Sequence, residues 1–300
     1  MEIVVAKSAG FCWGVKRAVK MAVESLKTSK SGKVFCLGEL IHNRLEIERL
    51  KSMGMVFVED FEKIPEGESI IIRSHGVAPS VIENLKKKKL KIVDATCPFV
   101  KDVHEKAMKL ERENYPVLIL GNPNHPEVKG IAGHVKNPLI ASTLSEIEKL
   151  PSFSRLGVVC QTTLNINFFK EAISTLLLKV KDIKIYNTIC NATYIRQKEA
   201  KELAKNVDVM LIVGGKNSSN TTKLYQISKT VNENSFHVES EEEIDKDWFK
   251  NAKKVGITAG ASTPQWVIEK VVNYLLDIAE GGELSGRGIR KTVRREFQPA

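Results

Sequence analysis

The stretch LKIVDATCPFVKDVHEKAMKLE, residues 90–111, decides the fold of this 300-residue chain. It begins with an apolar run typical of a strand and continues, after Cys97, with the apolar spacing of an amphipathic helix. Two other stretches share this plan: EIVVAKSAGFCWGVKRAVKMAVESL, residues 2–26, with Cys12, and IKIYNTICNATYIRQKEAKELAKN, residues 183–206, with Cys190. A recurrence at intervals of domain length indicates three related units rather than a solenoid of small repeats.

Each unit also repeats two further strands that end in polar loops. The first loop carries His42, His125 or Ser218, and the second follows the strands in SIIIRSHGVAPS, LGVVCQTTLN and KVGITAGASTP. Strands that alternate with helices predict parallel sheets, which bind ligands beyond the carboxyl ends of their strands. We therefore predict an α/β fold of three similar small domains in a pseudo-threefold, trefoil-like arrangement. Each domain would direct one cysteine and two polar loops towards a shared centre.

The predicted domain boundaries follow the cysteines. The units span 13–96, 97–189 and 190–282, and we expect the N-terminal strand within 1–12 to complete the third, which lacks a last strand of its own. The tail 283–300 contains five basic and two acidic residues without a stable apolar period. We expect this tail to be disordered or an added expression segment.

The composition excludes several classes of protein. No window approaches the roughly 20 apolar residues of a membrane helix, and no signal peptide is evident, so we expect a globular cytoplasmic protein without a membrane partner. Five cysteines in such a chain disfavour a disulfide framework and favour metal ligation or thiol chemistry. The net charge of +10 indicates an anionic partner. The aromatic content of 6% and the scattered basic residues argue against nucleic acid.

The three repeated cysteines each precede a predicted helix, whose N-terminus favours a thiolate. Cys12, Cys97 and Cys190 are therefore candidate ligands of zinc or of an iron-sulfur cluster. Structural zinc commonly uses Cys-x-x-Cys pairs, which the sequence lacks, whereas a cubane with three thiolates leaves one iron able to bind a substrate oxygen. A zinc or cluster protein without catalysis remains the alternative. Cys36 fits a small buried hydrophobe, and Cys160 borders a polar turn.

The polar loops supply groups for anion binding and proton transfer. His42, His75 and His125 follow strands, and Glu127 comes two residues after His125. The loops GGKNSSN, QTT and AGAST offer hydroxyls, amides and backbone N–H groups that can cradle phosphate oxygens. No Gly-x-x-x-x-Gly-Lys-Ser motif is present, so a nucleoside triphosphatase is not expected. The remaining histidines have no place in the repeat and are interpreted as ordinary polar residues: His104, His134 and His237.

An ordered series of motifs carries a resemblance to one family. The series GFCWGVKRA, IHNR, SHGV, DATCP, NHPEVKG, QTTL, KNSSN and TAGAST resembles that of the 4-hydroxy-3-methylbut-2-enyl diphosphate reductases, which complete the non-mevalonate isoprenoid pathway. The resemblance covers residues 1–280 and is specific because of the order of its motifs. It implies three α/β domains around an oxygen-sensitive [4Fe-4S] cluster held by Cys12, Cys97 and Cys190, with a [3Fe-4S] form after oxidative loss of the unique iron.

The resemblance also implies a reaction and a pocket. The reaction is a two-electron reductive dehydroxylation to isopentenyl and dimethylallyl diphosphates, with the substrate hydroxyl on the unique iron and a ferredoxin or flavodoxin as electron donor. Glu127, Thr162 and His125 take the catalytic roles, the first two in proton delivery beside the leaving hydroxyl. The implied substrate pocket consists of His42, His75, His125, Gln161, Thr162, Thr163, Ser218, Ser219, Asn220 and Ser262.

Overall fold

The computed structural model describes residues 1–280 and the backbone of residues 293–294. The expectation for the tail 283–300 therefore concerns residues that, apart from those two, lie outside the described part of the chain. The strands are β1 (Glu2–Val5), β2 (Val34–Leu37), β3 (Met55–Val58), β4 (Ser69–Ile72), β5 (Lys91–Asp94), β6 (Val117–Leu120), β7 (Leu139–Ala141), β8 (Phe153–Cys160), β9 (Val180–Ile185), β10 (Val209–Val213), β11 (Ser235–Val238), β12 (Lys254–Ala259) and β13 (Val293–Arg294). The helices are α1 (Trp13–Thr28), α2 (Arg44–Ser52), α3 (Pro79–Lys87), α4 (Pro98–Arg112), α5 (Pro126–Ala132), α6 (Leu144–Glu148), α7 (Ile166–Leu177), α8 (Asn191–Lys205), α9 (Ser219–Lys229) and α10 (Gln265–Ala279).

The described residues form three sheets with the same strand order. The sheets run β3-β2-β4-β5, β7-β6-β8-β9 and β11-β10-β12-β1, and β13 extends the third beyond β1. Neighbouring strands pair in parallel, as in the register of Ile3 with Val255 between β1 and β12. Strand β1 thus takes the position that β5 and β9 hold in the other sheets. The predicted α/β class with three similar parallel-sheet units is confirmed.

Burial explains why these segments form these elements. Strands β6 (VLIL) and β10 (VMLIV) are buried along their whole length, as expected for parallel strands covered by helices on both faces. Helix α4 buries Val100, Val103, Ala107 and Leu110, which recur at helical spacing on one side. Within residues 1–280, no helix is long and apolar enough to cross a membrane.

The described chain divides into two compact units. Unit 1 contains Met1–Cys12, His42–Glu46 and the described residues from Asn191 onward, and it holds the sheet that includes β1. Unit 2 contains Trp13–Ile41 and Ile47–Cys190, and it holds the other two sheets. His42, the histidine of the predicted loop IHNR, therefore belongs to unit 1.

Candidate functional site

Each repeated cysteine is half-buried directly before a helix and makes the same backbone hydrogen bond. The N–H groups donate to carbonyl oxygens as follows: Cys12 to Ala261 at 3.0 Å, Cys97 to Ser74 at 3.0 Å, and Cys190 to Thr162 at 2.9 Å. Each acceptor lies two residues beyond the end of a central strand, β12, β4 or β8. The sequence repeat therefore extends to individual hydrogen bonds, which tie every cysteine turn to a polar loop.

In unit 2, the loop that accepts the Cys97 hydrogen bond also carries one member of a histidine pair. His75 follows Ser74, and its ring meets the ring of His125 edge-on with centroids 5.4 Å apart. His125 caps α5, and its Nδ1 accepts the N–H of Glu127 at 3.2 Å. An accepting Nδ1 carries no proton, so the neutral His125 ring keeps its proton on Nε2. That nitrogen is consequently a donor suited to an anionic oxygen.

Glu127 continues this line of contacts to Thr162. Its carboxylate is 2% exposed, and its two oxygens accept the backbone N–H of Thr162 at 2.6 Å and the hydroxyl of Thr162 at 2.8 Å. Burial raises the pKa of Glu127 from 4.5 to about 7, against the opposing effect of the two hydrogen bonds. The carboxyl is therefore partly protonated near neutral pH, as a general acid requires.

The line of contacts ends at the third cysteine turn. The carbonyl of Thr162 accepts the N–H of Cys190, so unit 2 connects Cys97 with Cys190 through the histidine pair and the carboxyl. Behind it, Gln161 donates to the hydroxyl of Thr163 at 2.9 Å and accepts the N–H of Asn122 at 3.2 Å. Gln161 is buried, and these bonds hold the QTT loop in place.

In unit 1, three of the predicted phosphate-cradle residues meet. The hydroxyl of Ser262 donates to the carbonyl of His42 at 2.9 Å and lies 3.4 Å from the hydroxyl of Ser218. Ser218 caps α9 by accepting the N–H of Thr221. Because Ala261 accepts the Cys12 hydrogen bond, this cradle adjoins the first cysteine turn along the chain.

In unit 1, the side chain of Asn220 indicates a ligand site. The residue is buried, yet neither the nitrogen nor the oxygen of its side-chain amide has a hydrogen-bond partner within the described part of the chain. A buried amide left in this state costs about 1 to 3 kcal/mol. The helix N-terminus beside it presents backbone N–H groups, which favour an anion. The Asn220 side-chain nitrogen is therefore placed to donate to a bound anion.

The donor chemistry of the cysteine turns fits an iron-sulfur cluster. The first turns of α1, α4 and α8 contain no acidic residue, so no carboxylate competes with a thiolate for the positive helix end. The other two cysteines behave differently: burial raises the pKa of Cys36 to about 12 and that of Cys160 to about 11. Both are buried thiols that stay protonated and serve as small core residues.

Two charged residues of α8 belong near the site although the sequence did not single them out. Arg196 is buried and donates to the carbonyl of Gly10 at 2.9 Å, and Glu199 accepts the N–H groups of Lys7 at 2.7 Å and Ser8 at 3.0 Å. We call Arg196 and Glu199 the α8 clamp, since they hold the loop that leads to Cys12. The sequence pattern gives no signal for this role, because the partners lie between 186 and 192 residues away in the chain.

His104 also differs from its interpretation as an ordinary polar residue. It is buried and stacks on His134 with ring centroids 3.9 Å apart, and burial lowers its pKa to about 3. A Cβ on Gly76 would lie 2.9 Å from its ring, so this neutral histidine packs against the loop that carries His75. Its role is to support that loop.

These features define a class: parallel α/β proteins with half-buried cysteines and a protonatable carboxyl beyond the ends of their strands. The chain belongs to the LytB protein family, whose family model matches residues 3–276. Its curated relatives include the 4-hydroxy-3-methylbut-2-enyl diphosphate reductase of Aquifex aeolicus, which is 51% identical over 285 residues, or 94% of this chain and 98% of that protein. The same enzyme of Geobacter sulfurreducens is 43% identical over 276 residues, or 92% and 97%.

Solved structures agree with these relatives. One is titled as (E)-4-hydroxy-3-methyl-but-2-enyl diphosphate reductase, the terminal enzyme of the non-mevalonate pathway; it is 50% identical, with a TM-score of 0.69 over 92% of this chain and 100% of that chain. Another, the E-1-hydroxy-2-methyl-but-2-enyl-4-diphosphate reductase from Plasmodium falciparum, is 32% identical, with a TM-score of 0.87 over 92% and 88%. The resemblance drawn from the motifs is thereby confirmed.

Proposed function

We propose that this chain is a 4-hydroxy-3-methylbut-2-enyl diphosphate reductase that yields isopentenyl and dimethylallyl diphosphates. The names of its relatives support the enzyme class. The single observation that carries the chemistry is Glu127, a buried carboxyl with a pKa near 7 on the line of contacts between two cysteine turns. Loss of a hydroxyl needs a proton donor of this kind, because hydroxide is a poor leaving group.

The proposed cofactor is a [4Fe-4S] cluster held by Cys12, Cys97 and Cys190. When bound, it supplies single electrons and one iron without a protein ligand, which acts as a Lewis acid towards the substrate hydroxyl. The equivalent hydrogen bonds of the three cysteine N–H groups support this assignment, because they give the turns a common backbone geometry. Loss of the unique iron on oxidation would leave a [3Fe-4S] form.

The domain division proposed for this enzyme follows the cysteines. It consists of units 13–96, 97–189 and 190–282, with 1–12 completing the last. The equal strand order of the three sheets and the position of β1 beside β12 support it.

The reaction consumes two electrons and two protons for each C–O bond broken. One proton passes from Glu127 to the oxygen, which leaves as water, and the second reaches the allylic carbon. The Thr162 hydroxyl donates a hydrogen bond to the ionised Glu127 carboxylate and can accept one from the protonated acid, so it keeps the carboxyl oriented in both states. Glu127 regains its proton readily because its pKa lies near neutral pH.

The diphosphate is proposed to lie among neutral donors. His125 would donate a hydrogen bond from Nε2, and the Asn220 nitrogen would gain the acceptor that it lacks within residues 1–280. Neutral donors desolvate at lower cost than lysine or arginine, which suits a ligand that must also be released. The complete proposed set is His42, His75, His125, Gln161, Thr162, Thr163, Ser218, Ser219, Asn220 and Ser262.

The proposed partners and location follow from the chemistry. A ferredoxin or flavodoxin supplies the electrons one at a time, and the cytoplasm is the proposed compartment. A metabolic enzyme with a small diphosphate substrate needs neither nucleic acid nor a membrane as a partner.

The test is anaerobic purification followed by absorption spectroscopy, iron and sulfide analysis, and turnover with substrate and reduced methyl viologen. We expect a brown protein with about four irons per chain that forms both diphosphate products. Cys97→Ser should lose iron, whereas Cys36→Ser, a matched change in a buried strand, should retain it. A colourless, zinc-loaded protein from cells that supply clusters would refute the proposal in favour of a structural metal site.

A further inference from the structure

The helices that follow the repeated cysteines each expose an aromatic side chain in their first turn. Trp13 begins α1 and is 61% exposed, and Phe99, the second residue of α4, is 48% exposed. In unit 1, Tyr194 in the first turn of α8 is 47% exposed. Scattered exposed apolar residues are normal on a protein surface, but each of these lies within four residues after a repeated cysteine. A core function does not explain them, since their rings face solvent.

In unit 2, a hydrogen bond joins the two aromatic helix ends. Arg17 lies four residues after Trp13 on α1, on the same helix face, and its Nη1 donates to the carbonyl of Thr96 at 3.2 Å. Thr96 lies in the turn before α4, three residues before Phe99. Trp13 and Phe99 therefore flank one joint between α1 and α4.

The surroundings of this joint are basic. Residues 13–20 and 96–101 contain no aspartate or glutamate. Their basic residues are Lys16, Arg17, Lys20 and Lys101. Lys101 pairs with Asp94, and Lys20 lies 3.7 Å from Glu24 across an exposed pair that is worth little. Basic residues still outnumber acidic ones when both partners are included. We call Trp13, Phe99 and these four basic residues the docking patch.

We propose that the docking patch binds the electron donor, a small acidic ferredoxin. The inference rests on the proposed function, in which a one-electron carrier must bind twice for each substrate reduced. The patch begins one residue after Cys12 and two residues after Cys97, so a protein seated there lies next to two of the proposed cluster ligands. An aromatic centre with a basic rim matches the anatomy of transient protein interfaces and attracts an acidic partner. A partner that covers only two helix ends buries a small interface area, which is typical of weak, transient redox complexes.

The test compares two reductants and two charge variants. Lys16→Glu with Lys20→Glu removes the net positive charge of the patch, and Lys86→Glu with Lys87→Glu makes the same two substitutions on the exposed end of α3. With reduced ferredoxin, we expect the patch variant to raise the KM for ferredoxin by on the order of tenfold, and the control variant to change it by less than about twofold. With reduced methyl viologen, which needs no docking, both variants should keep the wild-type rate.

A second comparison tests the aromatic centre. Phe99→Ser should raise the KM for ferredoxin, whereas Leu178→Ser, at a more exposed apolar residue of unit 2, should not. Chemical-shift mapping of ferredoxin with the cluster-loaded protein measures the same binding without turnover. Equal ferredoxin binding by the patch and control variants would overturn the proposal. An increase in KM seen only with a flavodoxin as donor, or self-association of the chain through these residues, would also overturn it. A wild-type protein inactive with methyl viologen would instead refute the proposed function.

Discussion

Replacement of Glu127 by glutamine tests the physical basis of the site directly. The pKa of Glu127 is raised from 4.5 to about 7 because burial disfavours its charged form. The folded protein therefore holds this proton more tightly than the unfolded chain does. As the pH rises from 4.5 to 7, the unfolded chain ionises while Glu127 stays protonated, so the free energy of unfolding falls. The cost is about 1 kcal/mol at pH 5 and about 3 kcal/mol at pH 8. Below pH 4.5 the carboxyl is protonated in both states and the cost vanishes.

Glutamine keeps the shape of the protonated acid but cannot ionise. Its amide oxygen can accept the Thr162 N–H, and the Thr162 hydroxyl can accept from its nitrogen. We therefore expect Glu127→Gln to gain about 2 kcal/mol in unfolding free energy relative to wild type between pH 5 and pH 8. Urea unfolding at several pH values under anaerobic conditions measures the difference, and Glu83→Gln at an exposed glutamate is the control. A difference between wild type and Glu127→Gln that does not change with pH would refute the reasoning.

The same substitution separates folding from chemistry. Without a transferable proton, Glu127→Gln should retain iron and bind substrate but lose turnover by about 10² or more. The wild-type kcat should fall as the pH rises above 7, since the ionised carboxyl no longer donates a proton. Wild-type rates in the variant would remove Glu127 from the proposed mechanism.

Two further predictions concern residues beside the cysteine turns. Asn220→Leu should raise the unfolding free energy of the substrate-free protein by about 1 kcal/mol, because it removes a buried unpaired amide. It should also increase the KM for substrate about tenfold. A variant less stable than wild type would contradict the first expectation. Arg196→Met and Glu199→Gln should each lose iron faster than Lys201→Met during timed exposure to a chelator, because they loosen the loop before Cys12. Equal iron loss by all three variants would mean that the α8 clamp has no positioning role.

The fold was predictable because its signal is local and repeated. Apolar runs such as VLIL and VMLIV, each followed by a polar loop, predict buried parallel strands without knowledge of distant contacts. The unit 190–282 shows one apolar strand pattern fewer than the other two units, which predicted that the N-terminal strand completes it, and β1 pairs with β12. Local pattern and tertiary pairing agree here, as expected for a sequence that specifies one structure.

The sequence indicates which residue types the candidate site contains but not their energetics. The burial of Glu127 and its pKa near 7 depend on the packing around α5 and on Thr162, which lies 35 residues away in the chain. Arg196 meets Gly10 across 186 residues, and the charged side chain on a buried helix face reads as solvent-exposed when considered alone. Such long-range pairings leave no periodic mark in the sequence.

The place of β1 in the third sheet has a consequence for how the protein is made. Strand β1 leads to Cys12, and its main partner, β12, spans Lys254–Ala259, so β1 is translated long before the strand with which it pairs. The Cys12 hydrogen bond to Ala261 cannot form before that strand is synthesised. Of the three repeated cysteines, the one translated first is therefore the last whose hydrogen-bond acceptor is synthesised.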